Sequence, residues 1–379
     1  MTKIPPVSIG AEGYKKLWPQ SVWPGEIPGM PPVAILFTSA MDYDHASKSV
    51  TFGGMGGETE ILAAGTLDEH LSFWGSVVFA RDGGEIATEM ERINLLVRPL
   101  DSPALQFKIG SFEPGIMLIS SHRSILAQEP AALTEPAGDN PWAPEGFQQG
   151  LEAYGILQHR FLYNAGVVEG SGSLGDKSKD VYGRLAYKFG GLSFDGAATG
   201  RADSSVGANP KPWSETSVAL SAFAYKGKGL SSLTAAASLA GGAPGRHAFR
   251  SVLEAAPDPG ENPFRVFGGD VAVNYFDLMA HAGYTDRKDD GLRVDEAEPG
   301  EVSVKSGFFE LSWVAYPWLI PSARWESFQV AEDKTQKLSF TIDGLARANV
   351  KTFLAADWLK EPGGSFTSEG GTLGVIIGF

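Results

Sequence analysis

The chain has 379 residues, a formal net charge of −14 and no cysteine. The acidic balance argues against nucleic-acid binding, which needs a basic face. Because cysteine is absent, disulfides, thiolate metal sites, cysteine nucleophiles and covalent c-type haem attachment are excluded within this chain. Its mean hydropathy is −0.08, and no stretch approaches the ~18 apolar residues that a membrane helix needs. A membrane crossing would therefore have to use strands, whose alternating faces escape a hydropathy scan.

The start of the chain is predicted to be an irregular arm, residues 1–30, ahead of a strand-rich region, residues 31–379. Proline disfavours helix interiors and central strands, and it recurs in the arm at Pro5, Pro6, Pro19, Pro24 and Pro28. The first residues also lack the apolar segment of a secretory signal. Either the protein is cytoplasmic or the sequence is a mature form without its signal. We expect the second, because the strand pattern implies export.

From about residue 31 the sequence alternates between bulky apolar residues and polar or small ones. Clear examples are the segments 71–79, 181–189, 309–315 and 350–358. In the second of these, Leu185 would lie on one face, and Arg184 and Lys188 on the other. A soluble sandwich also tolerates charge on its solvent face. A closed barrel, with lipid outside and water inside, explains both faces and their recurrence along nearly the whole chain.

These segments predict an all-β fold, namely a transmembrane, antiparallel, up-and-down β-barrel of about 18 strands. A range of 16 to 20 is allowed, because single-chain barrels of this kind have even strand counts. Strand starts near residues 191, 231 and 247 are among those predicted, and small residues dilute the pattern at the last two. Short links such as Leu67–Glu69 and Gly190–Gly191 are predicted to be periplasmic turns. Longer outer loops are predicted at residues 114–146, 199–213, 254–262, 286–301 and 361–369.

The last predicted strand ends on an aromatic residue, with apolar side chains at every second position before it. Leu373, Val375, Ile377 and Phe379 fall on one face. This ending resembles the closing strand of bacterial outer-membrane β-barrels. In that family the barrel-assembly machinery reads such an ending, so the resemblance implies an assembly signal at these four residues and an outer-membrane location among its lipids. An edge strand of a soluble sheet is the alternative.

Four basic residues lie on the predicted polar faces of strands: Lys108, Arg160, Arg184 and Lys188. We predict that they line the pore, which would then favour anions or an acidic partner.

The longest predicted loop, residues 114–146, is rich in proline and carries His122 and Arg123. In this respect it is similar to the long loop that folds inward and narrows the pore of general porins. His122 and Arg123 are therefore candidates for a constriction. An ordinary surface loop is the alternative.

No motif in the sequence supports catalysis or a metal site. In the predicted loop 286–301, oxygens of a crowded acidic group could bind Ca²⁺, namely those of Asp289, Asp290, Asp295, Glu296, Glu298 and Glu301. Their order lacks the Asp-x-Asp-x-Asp-Gly spacing of a calcium loop, so a solvated loop is favoured. The six histidines are scattered without metal-ligand spacing. Residues 170–175 spell Gly-x-Gly-x-x-Gly, but a strand follows them where dinucleotide binding needs a helix. We therefore predict that the chain is not an enzyme.

Several stretches together point to a narrower resemblance. They are Phe107–Pro114, Ser120–Arg123, Gln149–Glu152, Val167–Gly170 and Asp180–Gly191. These stretches resemble the porin-like barrels that accompany multihaem c-type cytochromes in metal-reducing and related Gram-negative bacteria. The resemblance covers residues ~100–190 best. It implies a barrel that sheathes a partner cytochrome, with electrons crossing the outer membrane along the partner's haems and no cofactor held by this chain.

The alternative is a passive diffusion porin for small solutes, anions among them. The two functions differ in what fills the lumen. A sheath needs a wide lumen without an inward loop, whereas a diffusion porin needs a constriction, commonly with charges of opposite sign facing each other across it.

Overall fold

The computed structural model describes residues 33–52, 58–82, 85–120, 130–138, 140–170, 179–195, 214–231, 260–292, 300–347 and 349–378. Within these ranges the chain forms seventeen strands and one short helix, α1 (Ala131–Thr134). The strands are β1 (Val33–Asp44), β2 (Ser49–Phe52), β3 (Glu58–Thr66), β4 (Leu71–Asp82), β5 (Glu85–Val97), β6 (Gln106–Phe112), β7 (Gln148–Leu157), β8 (Phe161–Val168), β9 (Asp180–Gly190), β10 (Glu215–Ser231), β11 (Gly260–Phe276), β12 (Leu278–Leu292), β13 (Gly300–Trp313), β14 (Leu319–Val330), β15 (Asp333–Arg347), β16 (Val350–Lys360) and β17 (Thr367–Gly378). No helix in the described ranges is long and apolar enough to cross a membrane. The predicted arm, residues 1–30, lies outside the described residues.

The strands form one antiparallel sheet that closes on itself. From β3 to β17 each strand pairs with the next along the chain, and β1 pairs with β3 on one side and with β17 on the other. The closing register runs from Leu36 opposite Gly378 to Asp44 opposite Gly370. The short strand β2 pairs only with β1, next to the part of β1 that pairs with β3. The chain is thus an up-and-down barrel of sixteen strands with β2 as an additional strand.

The predicted barrel is confirmed, but the predicted count of about 18 strands is two too high. No strand begins near residue 191, because β9 ends at Gly190 and both Gly190 and Gly191 take positive φ angles of 66° and 54°. These left-handed conformations turn the chain out of the sheet. The predicted starts near 231 and 247 fall at the end of β10 and outside the described residues. Since β10 pairs directly with β11 up to Ser231 opposite Gly260, neither start adds a strand between them.

Burial alternates along the strands as a closed barrel requires. On β9, Tyr182, Arg184 and Ala186 are buried and face the lumen, whereas Leu185 and Phe189 are exposed on the outer face. The same alternation holds on β13 and β16. The predicted faces of these three strands are therefore confirmed, and the outer face carries the apolar residues that a lipid-facing surface needs.

The connections differ in length between the two ends of the barrel. One end carries the short connections, such as residues 67–70, 158–160 and 348–349, and the other carries residues 113–147, 169–179 and 232–259. Outer-membrane barrels have short periplasmic turns and longer outer loops. The prediction of an outer loop at 199–213 is wrong. The β9–β10 connection leaves and rejoins the barrel at the end that carries the short turns.

Two further predicted loops are partly strand. Residues 286–292 belong to β12 and residues 300 and 301 to β13, so the predicted loop 286–301 is largely sheet. Likewise β11 begins at Gly260, within the predicted loop 254–262. Both errors arose because charged and polar residues at the strand ends resemble loop composition.

Candidate functional site

The connection between β6 and β7 enters the barrel and packs against its inner wall. We call residues 113–147 the inward segment, of which the structure describes residues 113–120, 130–138 and 140–147. Its Met117, Leu133 and Trp142 are buried in one apolar cluster with Tyr225 and Phe264 of the wall. Removing this apolar surface from water favours the inward position. The described part of the predicted loop 114–146 therefore lies inside the barrel, and its role as a constriction stays a prediction.

Glu152 on β7 holds the beginning of the inward segment. Its carboxylate is fully buried and accepts a hydrogen bond from the backbone N–H of Gly115 at 2.8 Å. The Tyr182 hydroxyl donates to the same oxygen at 2.6 Å, and the Lys108 ammonium lies 2.9 Å from the other oxygen. Removing a partner from a buried charge is costly, because the charge is left uncompensated. These contacts therefore tie the segment to three strands at once.

Two further wall residues bind the backbone of the same stretch. The Arg184 guanidinium donates to the carbonyl oxygens of Gly115 and Met117 at 3.1 and 2.6 Å. On β11 the Asp270 carboxylate accepts from the backbone N–H of Leu118 at 2.8 Å. Buried backbone groups need such partners. Because this stretch lies outside regular secondary structure, the side chains of the barrel wall supply them.

The end of the inward segment is held by an ion pair on β12. Arg287 donates two hydrogen bonds to Asp289, of 2.6 and 2.7 Å, and a third to the carbonyl oxygen of Trp142 at 3.0 Å. Asn140 of the segment and Asn262 of β11 each donate to Asp289 at 2.8 Å. The Arg287 guanidinium also lies over the Trp142 ring, 5.5 Å from its centroid. Every oxygen of this buried carboxylate therefore has a donor.

The helix α1 binds to the strands β13 and β14 of the barrel wall. The backbone N–H of Ala132 donates to the Glu326 carboxylate at 3.1 Å, and its carbonyl oxygen accepts from the Ser306 hydroxyl at 3.1 Å. The hydrogen bonds of the described segment thus go to β7, β9 and β11 to β14. The inward segment covers this half of the inner wall and leaves the other half facing the remaining lumen.

The remaining half of the wall carries charges of both signs in pairs. Lys337 on β15 lies 3.4 Å from Asp357 on β16. Two further pairs, Lys351 with Asp343 at 3.6 Å and Arg92 with Glu60 at 3.9 Å, face inward as well. Five of these six side chains retain part of their exposure, whereas Asp343 is buried. A solute in this part of the lumen would meet a polar wall with cations and carboxylates side by side.

Glu135 brings a carboxylate of the inward segment towards this wall. It follows α1 and lies within electrostatic range of Lys337. Burial raises the pKa of the Glu135 carboxyl above its ordinary value, and the positive charge of Lys337 offsets part of that rise. The residue is nevertheless accessible to water. The segment therefore places a negative charge within electrostatic range of Lys337 on the wall.

The predicted pore-lining residues take different places. Lys108, Arg184 and Lys188 point inward; Lys108 pairs with Glu152, Arg184 binds the inward segment, and Lys188 pairs with Glu215 at 3.0 Å. Arg160 instead lies in the short connection after β7 and donates to the carbonyl oxygen of Gly191 at 2.9 Å. The three inward residues are therefore bound to neighbours, and their action on a solute stays a prediction.

The other candidate residues are placed as follows. His122 and Arg123 lie outside the described residues, as does Phe379. Leu373 of the predicted assembly signal is exposed on the outer face of β17, the strand that also carries Val375 and Ile377; the signal itself stays a prediction. Asp289, assigned above to a solvated acidic loop, is instead fully buried on β12. Among the described residues no group of three or more acidic or histidine side chains could hold a metal ion.

Sequence reasoning missed the carboxylates that bind the inward segment, namely Glu152, Asp270, Asp289 and Glu326. A signal for them does exist. Each is an even number of positions along its strand from a small or aromatic residue of the lumen face, so its charged side chain lies on that face as well. A buried charge needs a partner, and here the partner is the backbone or a side chain of a distant loop, which strand parity cannot identify.

Solved structures with a similar fold are outer-membrane barrels. A loop-deletion mutant of OmpT, an outer membrane protein of Vibrio cholerae, matches with a TM-score of 0.56 and 11% identity over 92% of this chain and 98% of that chain. An anion-selective porin from Comamonas acidovorans matches with a TM-score of 0.56 and 11% identity over 91% of this chain and 97% of that chain. The outer membrane channel DcaP of Acinetobacter baumannii matches with a TM-score of 0.57 and 9% identity over 92% of this chain and 96% of that chain. At these identities the likeness shows the fold alone, which is that of porin-like barrels.

No protein-family model and no curated protein matches the chain.

Proposed function

We propose that this chain is a passive diffusion pore of the bacterial outer membrane, through which small hydrophilic solutes pass beside the inward segment. The observation that carries the proposal is the segment itself, which is fixed by hydrogen bonds and apolar packing along half of the inner wall. A fixed segment narrows a barrel without closing the polar half that remains. The porin-like fold and the apolar outer face support the membrane location.

The charges of the remaining lumen favour weak ion selectivity. Lysine and carboxylate side chains alternate on the wall, as in the pairs Lys337–Asp357 and Lys351–Asp343. Rings of one sign of charge select ions of the opposite sign, and paired charges largely cancel each other. The anion preference suggested by Lys108, Arg184 and Lys188 is reduced for the same reason, because each of these cations is already bound to the protein.

Solute passage can be measured directly by the swelling of liposomes that contain the purified chain. We expect swelling rates to fall steeply as the size of an uncharged sugar increases, because the inward segment sets the width of the opening. Liposomes with the heat-denatured chain are the control. Swelling no faster than that control with any sugar would refute the proposal.

Glu135 allows a pH test of the pore. Because its pKa is raised, its carboxyl takes up a proton at a higher pH than an ordinary glutamate does, and the lumen then loses a negative charge. We expect cation preference, measured as the reversal potential under a salt gradient, to weaken as the pH falls through this pKa. Glu135→Gln should show a smaller change. Glu69→Gln, at the exposed connection between β3 and β4, is the matched control and should keep the profile; an unchanged profile in Glu135→Gln would contradict the assignment.

The conduit function, a sheath around a multihaem cytochrome, is the second candidate and rests on the sequence resemblance of residues ~100–190. It requires a lumen without an inward segment, and the inward segment takes up space that a partner protein would need. We therefore favour the diffusion pore. A visible spectrum of the chain extracted gently from its native membrane separates the two, because a stoichiometric Soret band would mean that a haem protein accompanies this cysteine-free chain.

A further inference from the structure

Three basic side chains lie next to one another on the outer face of the barrel. Lys226 on β10 is directly opposite Arg265 on β11, and Arg265 is directly opposite Lys288 on β12. We call these three residues the basic row. All three are exposed, and neither a hydrogen bond nor an ion pair joins them to any residue that the structure describes. Within the described part of the chain the basic row is therefore unpaired.

The basic row is unfavourable without an anion. Directly opposite side chains on antiparallel strands have Cβ atoms about 4.5–5.5 Å apart, and like charges at such positions are destabilising. The row is flanked across the strands by the uncharged Val181 and Ser303. Asp286 and Asp290 on β12 and Glu301 on β13 are the acidic side chains described near the row on this face, and none of them is ion-paired to it. An external anion would relieve the repulsion.

The position of the basic row indicates the kind of anion. It lies towards the end of the barrel that carries the longer connections, because Lys226 precedes the connection 232–259 and Lys288 precedes the connection 293–299. Towards the middle of the barrel the same face exposes Phe267 and Tyr284, 60% and 52% accessible. The row is thus at the polar edge of an apolar, lipid-facing band. An anion held there and attached to acyl chains could lay those chains along the band.

We propose that the basic row binds the phosphate groups of an anionic lipid in the membrane leaflet at this end of the barrel. The proposal rests on the membrane location of the proposed function, but not on passage of solute through the lumen. Arginine and lysine are the side chains that proteins use for phosphate, arginine through paired hydrogen bonds and lysine as a point charge. A free phosphate ion shares the headgroup chemistry but lacks the acyl chains, so only a lipid would also cover the apolar band.

A groove beside the basic row adds room for such a lipid. It has a volume of about 320 Å³ and is lined by Tyr284, Lys305, Trp325 and Lys334, with Gly307 between them. Because Gly307 has no side chain, the outer surface of the sheet is left uncovered between the two aromatic rings. An acyl chain could lie against the rings, and the two lysines at the groove would add to the attraction for a headgroup phosphate.

Native mass spectrometry of the purified full chain tests the proposal with diphosphorylated lipid A as the probe. We compare the unsubstituted chain with Lys226→Gln/Arg265→Gln/Lys288→Gln and with the charge-matched control Lys48→Gln/Arg347→Gln/Lys360→Gln. Each cation near an anionic surface contributes a factor of about five, so we expect the row variant to bind roughly a hundredfold more weakly. The control variant should bind as the unsubstituted chain does.

Two further arms keep the outcome decisive even if the row variant fails to fold. The unsubstituted chain should bind fully dephosphorylated lipid A much more weakly than the diphosphorylated form, and inorganic phosphate alone should not displace the bound lipid. Equal binding of the dephosphorylated lipid, or displacement by inorganic phosphate, would overturn the proposal, as would a folded row variant with unchanged affinity. Liposome swelling by the same preparations reports separately on the pore, so a failure of one proposal is distinguishable from a failure of the other.

Discussion

Arg287→Leu should destabilise the protein by about 3–5 kcal/mol, because it leaves the fully buried Asp289 carboxylate without its cation. The carbonyl oxygen of Trp142 loses its donor in the same step. We expect the end of the inward segment to leave the wall and the pore to become wider and noisier. Unfolding in denaturant gives the loss of stability, and single-channel recording gives the change in conductance.

A second variant separates the ion pair from the packing. In Arg287→Leu/Asp289→Asn no charge remains buried, so most of the lost stability should return while Asn140 and Asn262 keep an acceptor. Arg347→Leu, at the exposed end of β15, is the control for removing an arginine and should change neither property. If the single variant were as stable as the unsubstituted chain, or the double variant no better than the single one, the ion pair would not hold the segment.

Leu185→Arg should cost about 2–4 kcal/mol of folding free energy in a bilayer, because Leu185 faces outward near the middle of β9 and is 57% accessible. A charge at that depth is removed from water without a partner. Reversible folding into lipid vesicles, followed by the shift in gel mobility on heating, gives the free energy.

Val167→Arg provides the matched comparison on the outer face of the neighbouring strand β8. Val167 is exposed and next to the last residue of β8, at the edge of the apolar band, where the cost of arginine falls to about 0–1 kcal/mol. Equal costs at the two positions, or no cost at Leu185, would mean that this face is not in contact with lipid.

Strand parity was enough to predict the barrel and the faces of β9, β13 and β16. A one-residue shift reverses the face of every side chain, so a repeated pattern such as Val181, Leu185 and Phe189 leaves little freedom. The strand count is harder to predict. Near residues 191, 231 and 247 small residues weaken the alternation of apolar and polar side chains, so a strand and a connection look alike there. Only the pairing of β10 with β11 removes two of these candidates.

The contents of the lumen could be predicted only in outline. A long proline-rich connection suggested an inward loop, but nothing local to it identifies its partners. Glu152 lies 37 residues from Gly115, and Glu326 lies 194 residues from Ala132. These contacts exist because the barrel closes and brings distant strands around the segment. For the same reason Asp289 looked like part of an acidic loop, although the closed sheet buries it beside Arg287.

The ionic current that the purified chain carries across a planar lipid bilayer tests the central claim most directly. We expect discrete upward steps of current as single barrels insert, with a stable open level set by the water-filled half of the lumen. A bilayer that stays silent although the chain has inserted as a folded, heat-modifiable barrel would contradict the diffusion pore.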